Sequence, residues 1–273
     1  GAGRRTIETA LVHGTEDQPA TVQLDTFTVT GPLIKVNIPD QSASVPSAGR
    51  LTLLSPRDLD GRKLDQPIPI AVTWDDSMNY RGRENRAEFF GHVHATSSGR
   101  GDQGSHTTTT FDSERLFVEL ADAVPKPPRP TPTGLVSLVR SAVERASAVG
   151  GGGATLGLTE RLSKEPTYLL AVGHAVARLE TLDPATGGLS VRVHIECPKL
   201  SVNLRQEVSK AQIEGSGTLL IEDYRAATEA GAAPATGGLF AVDERSGPSN
   251  TLIEWTRLMW YDFGIEQTRF EGD

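Results

Sequence analysis

Two histidines separated by one residue are the part of this sequence with the clearest potential for chemistry. On a β-strand His92 and His94 would point the same way, as paired metal-binding imidazoles do in cupin-type metalloenzymes. Such a site also needs a carboxylate three or four residues further on, but residues 97–99 are Ser-Ser-Gly. The alternation places both imidazoles opposite Phe89 and Val93. We interpret the pair as a weak metal candidate and otherwise as solvated surface.

Other reactive side chains lack the local signature of an enzyme. Asp75 and Asp76 are adjacent, so on a strand their carboxylates would face opposite ways and could not share a substrate. Cys197 is the single cysteine, which excludes an intramolecular disulfide, and its apolar neighbourhood favours a buried thiol over a reactive one. The sequence has no nucleophile elbow, phosphate loop or dinucleotide fingerprint. It therefore predicts a non-catalytic protein without a cofactor.

Composition narrows the class of partner. The formal net charge of the 273-residue chain is −8, and its basic residues do not cluster, which argues against nucleic-acid binding. A run of 18 apolar residues, as in a spanning helix, is absent from the sequence. The first residues lack the apolar stretch of a signal peptide, so we expect a cytoplasmic protein or a mature fragment, and the final residues favour the fragment.

Period-two alternation of apolar and polar residues recurs along the chain, and this is the pattern of half-buried strands. Turn residues separate the runs, and 28 glycines and 17 prolines suit many short connections. The clearest runs are Ile34, Val36 and Ile38; Leu116, Val118 and Leu120; Val191, Val193 and Ile195; and Leu200, Val202 and Leu204. They predict an all-β fold of antiparallel sheets in a sandwich, jelly roll or barrel.

Residues 123–165 break this pattern. Residues 125–133 form a proline-rich linker, and apolar residues then recur at helical spacing over 135–146, before the glycines at 150–153. We expect an amphipathic helix packed on the sheet or a partly disordered insert; a lid over an open end and a membrane-surface helix are alternatives. The Ala/Gly-rich residues 226–238 suggest a second, mobile loop.

An internal repeat is the strongest signal. Aligning Trp74 with Trp255 without gaps also aligns four further pairs of identical residues: Met78 with Met259, Tyr80 with Tyr261, Phe89 with Phe270 and Gly91 with Gly272. The chain has only two methionines and three tryptophans, so chance is a poor explanation. Upstream, residues 49–54 resemble residues 215–220. Repeated units that stack and share a core are expected.

Within each repeat, Trp and Met would share one face of a strand. The residue midway between them, Asp76 in one copy and Arg257 in the other, should then share that apolar face. We expect these charged residues to lie near an open edge, or the face to be incompletely sealed.

Residues 87–95, AEFFGHVHA, followed by 110–116, TFDSERL, resemble the Phe-x-Gly-x-Val strand, polar turn and Asp-containing strand of OstA-like proteins of lipopolysaccharide transport (the LptA-LptC type). Residues 170–177 and 268–273 resemble the same strand. The resemblance implies an open, twisted β-jelly roll, or β-taco, and the amphipathic helix inserted in it is a departure from the pattern of that family. The resemblance also implies repeat units over 1–122 and 166–273, the second truncated, with residues 123–165 as the insert.

Proteins of this type hold acyl chains of lipopolysaccharide in an apolar groove and join other β-jelly-roll proteins edge to edge in the periplasm. The resemblance thus implies a periplasmic or cell-envelope lipid-binding module. The groove candidates are Trp74, Met78, Phe89, Val93, Leu116, Val118, Val193, Val202, Trp255 and Met259. A structural or assembly module with a closed core and no lipid is the alternative, and a cupin-type metalloenzyme is a further one.

Overall fold

A computed structural model describes residues 8–15, 17–24, 27–57, 63–100, 105–122, 164–205, 210–225, 248–262 and 267–271. These residues form seventeen β-strands and one 3-10 turn, Gly82–Glu84. The strands are β1 (Thr9–His13), β2 (Ala20–Leu24), β3 (Phe27–Gly31), β4 (Leu33–Asn37), β5 (Ser42–Val45), β6 (Gly49–Arg57), β7 (Lys63–Trp74), β8 (Ser77–Arg81), β9 (Arg86–Arg100), β10 (His106–Asp122), β11 (Lys164–Leu182), β12 (Leu189–Asn203), β13 (Lys210–Glu214), β14 (Gly217–Asp223), β15 (Ser249–Trp255), β16 (Leu258–Asp262) and β17 (Gln267–Glu271).

All seventeen strands belong to one large antiparallel sheet that is not closed. The prediction of an all-β fold is confirmed. The alternation that predicted it is visible in the burial of β4, where Ile34 and Val36 are buried and Lys35 is exposed. Pairing of β10 with β11 joins the ranges 1–122 and 166–273 in this one sheet.

The sheet is folded into two layers by its four longest strands. Strands β9 to β12 pair with one set of neighbours in one half and another set in the other half. Layer A runs β1-β4-β5-β8, the first half of β9, the second of β10, the first of β11, the second of β12, then β13-β16-β17. Layer B runs β2-β3-β6-β7, the second half of β9, the first of β10, the second of β11, the first of β12, then β14-β15.

The chain passes between the layers along a line that we call the crease. The register of the long strands shifts there, at residues 113–114 of β10 and 173–174 of β11. Gly91 and Gly173 both have φ of +79°, and the histidine that follows each, His92 or His174, also has positive φ. A bulge with left-handed residues bends a strand sharply, and glycine adopts this conformation at no steric cost.

One hydrophobic core lies between the layers, because side chains from both inner faces contribute to it. The rings of Phe27 in layer B and Tyr80 in layer A meet edge to face, with centroids 4.9 Å apart. Trp74 and Phe89 lie close to the crease, with centroids 5.3 Å apart. The layers are thus joined by backbone at the crease and by side-chain packing elsewhere.

The prediction that Asp76 and Arg257 share the apolar face of a strand was wrong. Both aspartates lie in a two-residue break between β7 and β8 rather than on a strand, and their backbone N–H groups donate to Gly91 O and Phe90 O. The break resets the alternation, so Trp74 and Met78 are both buried while Asp76 is exposed. Arg257 is exposed in the equivalent break between β15 and β16.

Two sequence predictions fall on other parts of the chain. The helix expected over 135–146, with its linker at 125–133 and glycines at 150–153, lies outside the described residues. So does the loop expected over 226–238.

Candidate functional site

The ten groove candidates are all buried in the core between the layers. None is more than 6% exposed. They come from both layers and from both halves of the chain: Trp74, Met78, Phe89, Val93, Leu116, Val118, Val193, Val202, Trp255 and Met259. The structure therefore brings them into one apolar interior, in which they are packed against neighbouring side chains.

Two clefts interrupt this packing. The larger encloses about 470 Å³ of space not filled by atoms, part of it open to solvent. Strands β6, β7, β9 and β10 line it from layer B, and β10, β11 and β12 line it from layer A. Its lining is apolar throughout: Leu53, Ile70, Val72, Ala95, Phe111, Leu116, Val118, Pro166, Leu169, Ala171, Leu200 and Val202.

The second cleft continues the first toward the N-terminal end of the sheet. It encloses about 400 Å³, again partly open to solvent, and shares Leu53, Val72 and Val118 with the larger cleft. The rest of its lining is Phe27, Leu51, Tyr80, Ala87, Phe89 and Leu120. We call the two clefts together the apolar seam.

Part of the seam was predictable from the sequence. Four of the groove candidates, Leu116, Val118, Val202 and Phe89, line a cleft, and the other six pack elsewhere in the core. Leu53, which lines both clefts, was not among the candidates. The alternation of Leu51 with Leu53 was a usable signal for this strand. Local patterns could not show that strands distant in the sequence form the opposite walls of one cleft.

Two tryptophans near the crease have the same surroundings. Trp74 Nε1 donates to Ser47 O at 2.9 Å, and Trp255 Nε1 donates to Gly215 O at 3.0 Å. Each indole lies over the glycine paired with it on the adjacent strand, Gly49 or Gly217.

This geometry matches Gly49 with Gly217, two residues beyond the Gly215 with which the sequence alignment paired it. Of these two later glycines, only Gly217 lies beneath an indole as Gly49 does. Strand β14 begins at Gly217, and Gly215 belongs to the connection that precedes it. The sequence alone could not distinguish Gly215 from Gly217, because both positions are glycine.

The two candidate metal ligands are directed at different carboxylates. His92 Nδ1 lies 3.4 Å from Asp75 Oδ2, and His94 Nδ1 lies 2.6 Å from Asp112 Oδ1. His92 lies in the bulge at the crease and is largely exposed. The bulge interrupts the regular alternation of the strand, so the two rings do not point at one place. Among the described residues, no group of three or more His, Cys, Asp or Glu side chains has a geometry suited to a metal ion.

Cys197 lies on the inner face beside the crease. The side chain is buried, and this burial raises the pKa of the thiol to about 12 because a thiolate is poorly solvated there. A thiol with such a pKa is protonated at neutral pH and is a poor nucleophile.

The outer strands at each end of the sheet have neighbours on one side in the described part of the chain. Strands β1 and β2 lie at one end and β15 and β17 at the other. All five residues of β17 are exposed, and Phe270 is 38% exposed beside the buried Trp255. An exposed edge strand offers backbone groups for pairing with another strand.

Comparison of this chain with protein-family models, with curated proteins and with solved structures finds no match. No part of the described chain forms a helix with the length and apolar character needed to cross a membrane.

Proposed function

We propose that this chain is a non-catalytic β-jelly-roll module of OstA-like type that binds lipid acyl chains between its two layers in the cell envelope. The apolar seam carries the proposal. Both of its clefts lie between the layers, and apolar residues from both layers line them. Each Å² of hydrocarbon surface withdrawn from water into such a seam contributes about 25 cal/mol.

The direction of entry follows from how the layers are joined. The backbone of β9 to β12 connects them at the crease, so they can separate only on the opposite side. There, the contacts between layers are made by apolar side chains such as Leu53 and Val118. An acyl chain that replaces these contacts keeps the buried surface apolar, which limits the cost of opening.

The ends of the sheet support the second part of the proposal, assembly with other β-jelly-roll envelope proteins. Strands β1, β2, β15 and β17 present their outer edges at the two ends. Addition of a strand to such an edge uses main-chain hydrogen bonds.

An ancestral duplication forms part of the same proposal. The shared surroundings of Trp74 and Trp255 support it, since the hydrogen bond and the covered glycine recur at both sites.

A structural or assembly module without lipid is the second candidate. The burial of all ten groove candidates favours it, because a closed core is what such a module needs. The same strand edges would then provide its whole function.

Lipids that copurify with the chain distinguish the two candidates. We expect mass spectrometry of an organic extract to find acyl lipids with the wild type and to find them depleted in Leu53→Asn. The matched control is Leu54→Asn, because Leu54 is the next residue on β6 but points outward and is 57% exposed. Leu53→Met, which keeps the seam apolar, should retain the lipid.

Absence of acyl lipid from the wild type would contradict lipid binding and leave the closed module. Equal depletion by Leu53→Asn and Leu54→Asn would show that the lipid adheres outside the seam.

A further inference from the structure

The inner faces of the two layers differ in polarity on the side away from the crease. In layer A the inner positions of the long strands stay apolar toward their ends, as at Leu120 and Pro166, and the buried Leu204 follows directly after β12. In layer B six of the corresponding positions are polar, although Ile68 and Val191 on the same face are apolar. The six polar residues are Ser55, Ser97, Thr107, Thr109, Thr181 and Asp223, and we call them the polar rim.

Several residues of the polar rim are paired with one another across neighbouring strands. Ser97 pairs with Thr109 across β9 and β10, and Thr107 pairs with Thr181 across β10 and β11, with their hydroxyl oxygens 3.5 Å apart. Thr181 pairs with Val191, which pairs with Asp223. Ser97, Thr109, Thr107 and Thr181 therefore form a band across three neighbouring strands, β9 to β11, while apolar residues of β7 and β12 separate this band from Ser55 and Asp223.

The band borders the larger cleft. Ser97 lies opposite Ile70 in register, and Thr109 is two residues from Phe111 on the same face; Ile70 and Phe111 both line that cleft. Ser97 and Thr109 are each only 3% exposed. A buried hydroxyl costs free energy relative to a methyl group of similar size, so hydroxyls on these inner positions are not explained by core packing.

The charge of the rim limits the ligand. Arg225 donates two parallel hydrogen bonds to the buried carboxylate of Asp223, from Nε to Oδ1 at 3.0 Å and from Nη2 to Oδ2 at 2.8 Å. This pair is neutral overall, and the other rim residues are uncharged. The rim thus offers hydroxyl donors and acceptors without excess positive charge to attract an anion.

We propose that the rim holds the headgroup of the bound lipid, and that this lipid is an amphiphile with an uncharged, hydroxyl-bearing headgroup. Its acyl chain lies in the larger cleft and its headgroup faces layer B. This inference rests on the proposed lipid binding and adds the orientation and the headgroup class.

Equilibrium binding of two probes to the purified chain tests the orientation. Monopalmitoylglycerol has an uncharged head with two hydroxyls, and palmitate has the same chain with an anionic head. We expect the Ser97→Ala, Thr109→Val double variant to bind monopalmitoylglycerol about tenfold or more weakly, because each of the two lost hydrogen bonds is worth a factor of about three to ten. Its affinity for palmitate should stay unchanged.

A control on the same two strands is available. Ser98 and Thr108 point outward, with their hydroxyl oxygens 3.0 Å apart. The Ser98→Ala, Thr108→Val double variant should bind both probes as the wild type does. If the rim variant is poorly folded by thermal unfolding, Thr107→Val provides the same test at a half-buried rim position.

Two results would overturn the inference, and they are distinguishable. A folded rim variant that binds both probes like the wild type would remove the rim as the headgroup site while leaving lipid binding intact. A wild type that binds neither probe would remove the proposed lipid function together with the inference.

Discussion

The indole of Trp74 occupies the space where a side chain on Gly49 would lie. The two residues are paired across β6 and β7, and a Cβ at Gly49 would also meet the Thr30 carbonyl oxygen at 2.8 Å. Glycine at this position therefore allows the indole to cover the backbone and to donate to Ser47 O. The same contact at Gly217 and Trp255 places one arrangement near both ends of the core.

Adding a methyl group at Gly49 should be destabilising. We expect Gly49→Ala to lower the free energy of unfolding by about 1–3 kcal/mol, because overpacking at a tightly packed position displaces rigid neighbours. Urea unfolding followed by tryptophan fluorescence measures it. Gly188→Ala is the control, since its Cβ would meet only the Thr186 hydroxyl at 3.3 Å. Equal stability of Gly49→Ala and wild type would contradict the close contact.

The two indole hydrogen bonds should be worth similar free energies. Trp74→Phe and Trp255→Phe each remove the Nε1 donor and part of a buried ring, so each should cost about 3 kcal/mol or more, of which the lost hydrogen bond accounts for about 1–3 kcal/mol. Trp260→Phe is the comparison, because Trp260 lies on the outer face against Lys210 and Arg269. Denaturant unfolding measures all three. A large cost at one inner tryptophan and none at the other would argue against equivalent roles.

Sequence patterns predicted the strands and their buried faces, as for Ile34 and Val36 on β4. They did not predict the crease, because a two-residue break such as Asp75-Asp76 has no distinctive composition. Extending the alternation through that break placed Asp76 on the apolar face. Residues on opposite walls of the seam, such as Leu53 and Leu169, are far apart in the sequence, so no local pattern relates them.

The thiol of Cys197 makes stability depend on alkaline pH. Its folded-state pKa of about 12 lies above the value of roughly 8.5 for a thiol in an unfolded chain. As the pH rises above about 9, the unfolded state loses the proton first, so the folded state is destabilised until the pH reaches about 12.

At pH 10 this effect should cost about 1–2 kcal/mol relative to pH 7. Urea unfolding of the wild type and of Cys197→Ala at both pH values isolates it, because other titrating groups are common to the two proteins. The difference in stability between them should shift with pH in favour of the alanine variant. A difference independent of pH would show that the thiol is not desolvated.

Photo-crosslinking with a fatty acid that carries a diazirine at its chain end, mapped by peptide mass spectrometry, tests lipid binding between the layers most directly. We expect adducts on the inner residues of β6, β10 and β11, at or beside Leu53, Val118 and Leu169, and we expect unlabelled lipid to compete for them. Adducts confined to outward-facing residues such as Leu54 and Leu252, or a seam without adducts, would contradict it.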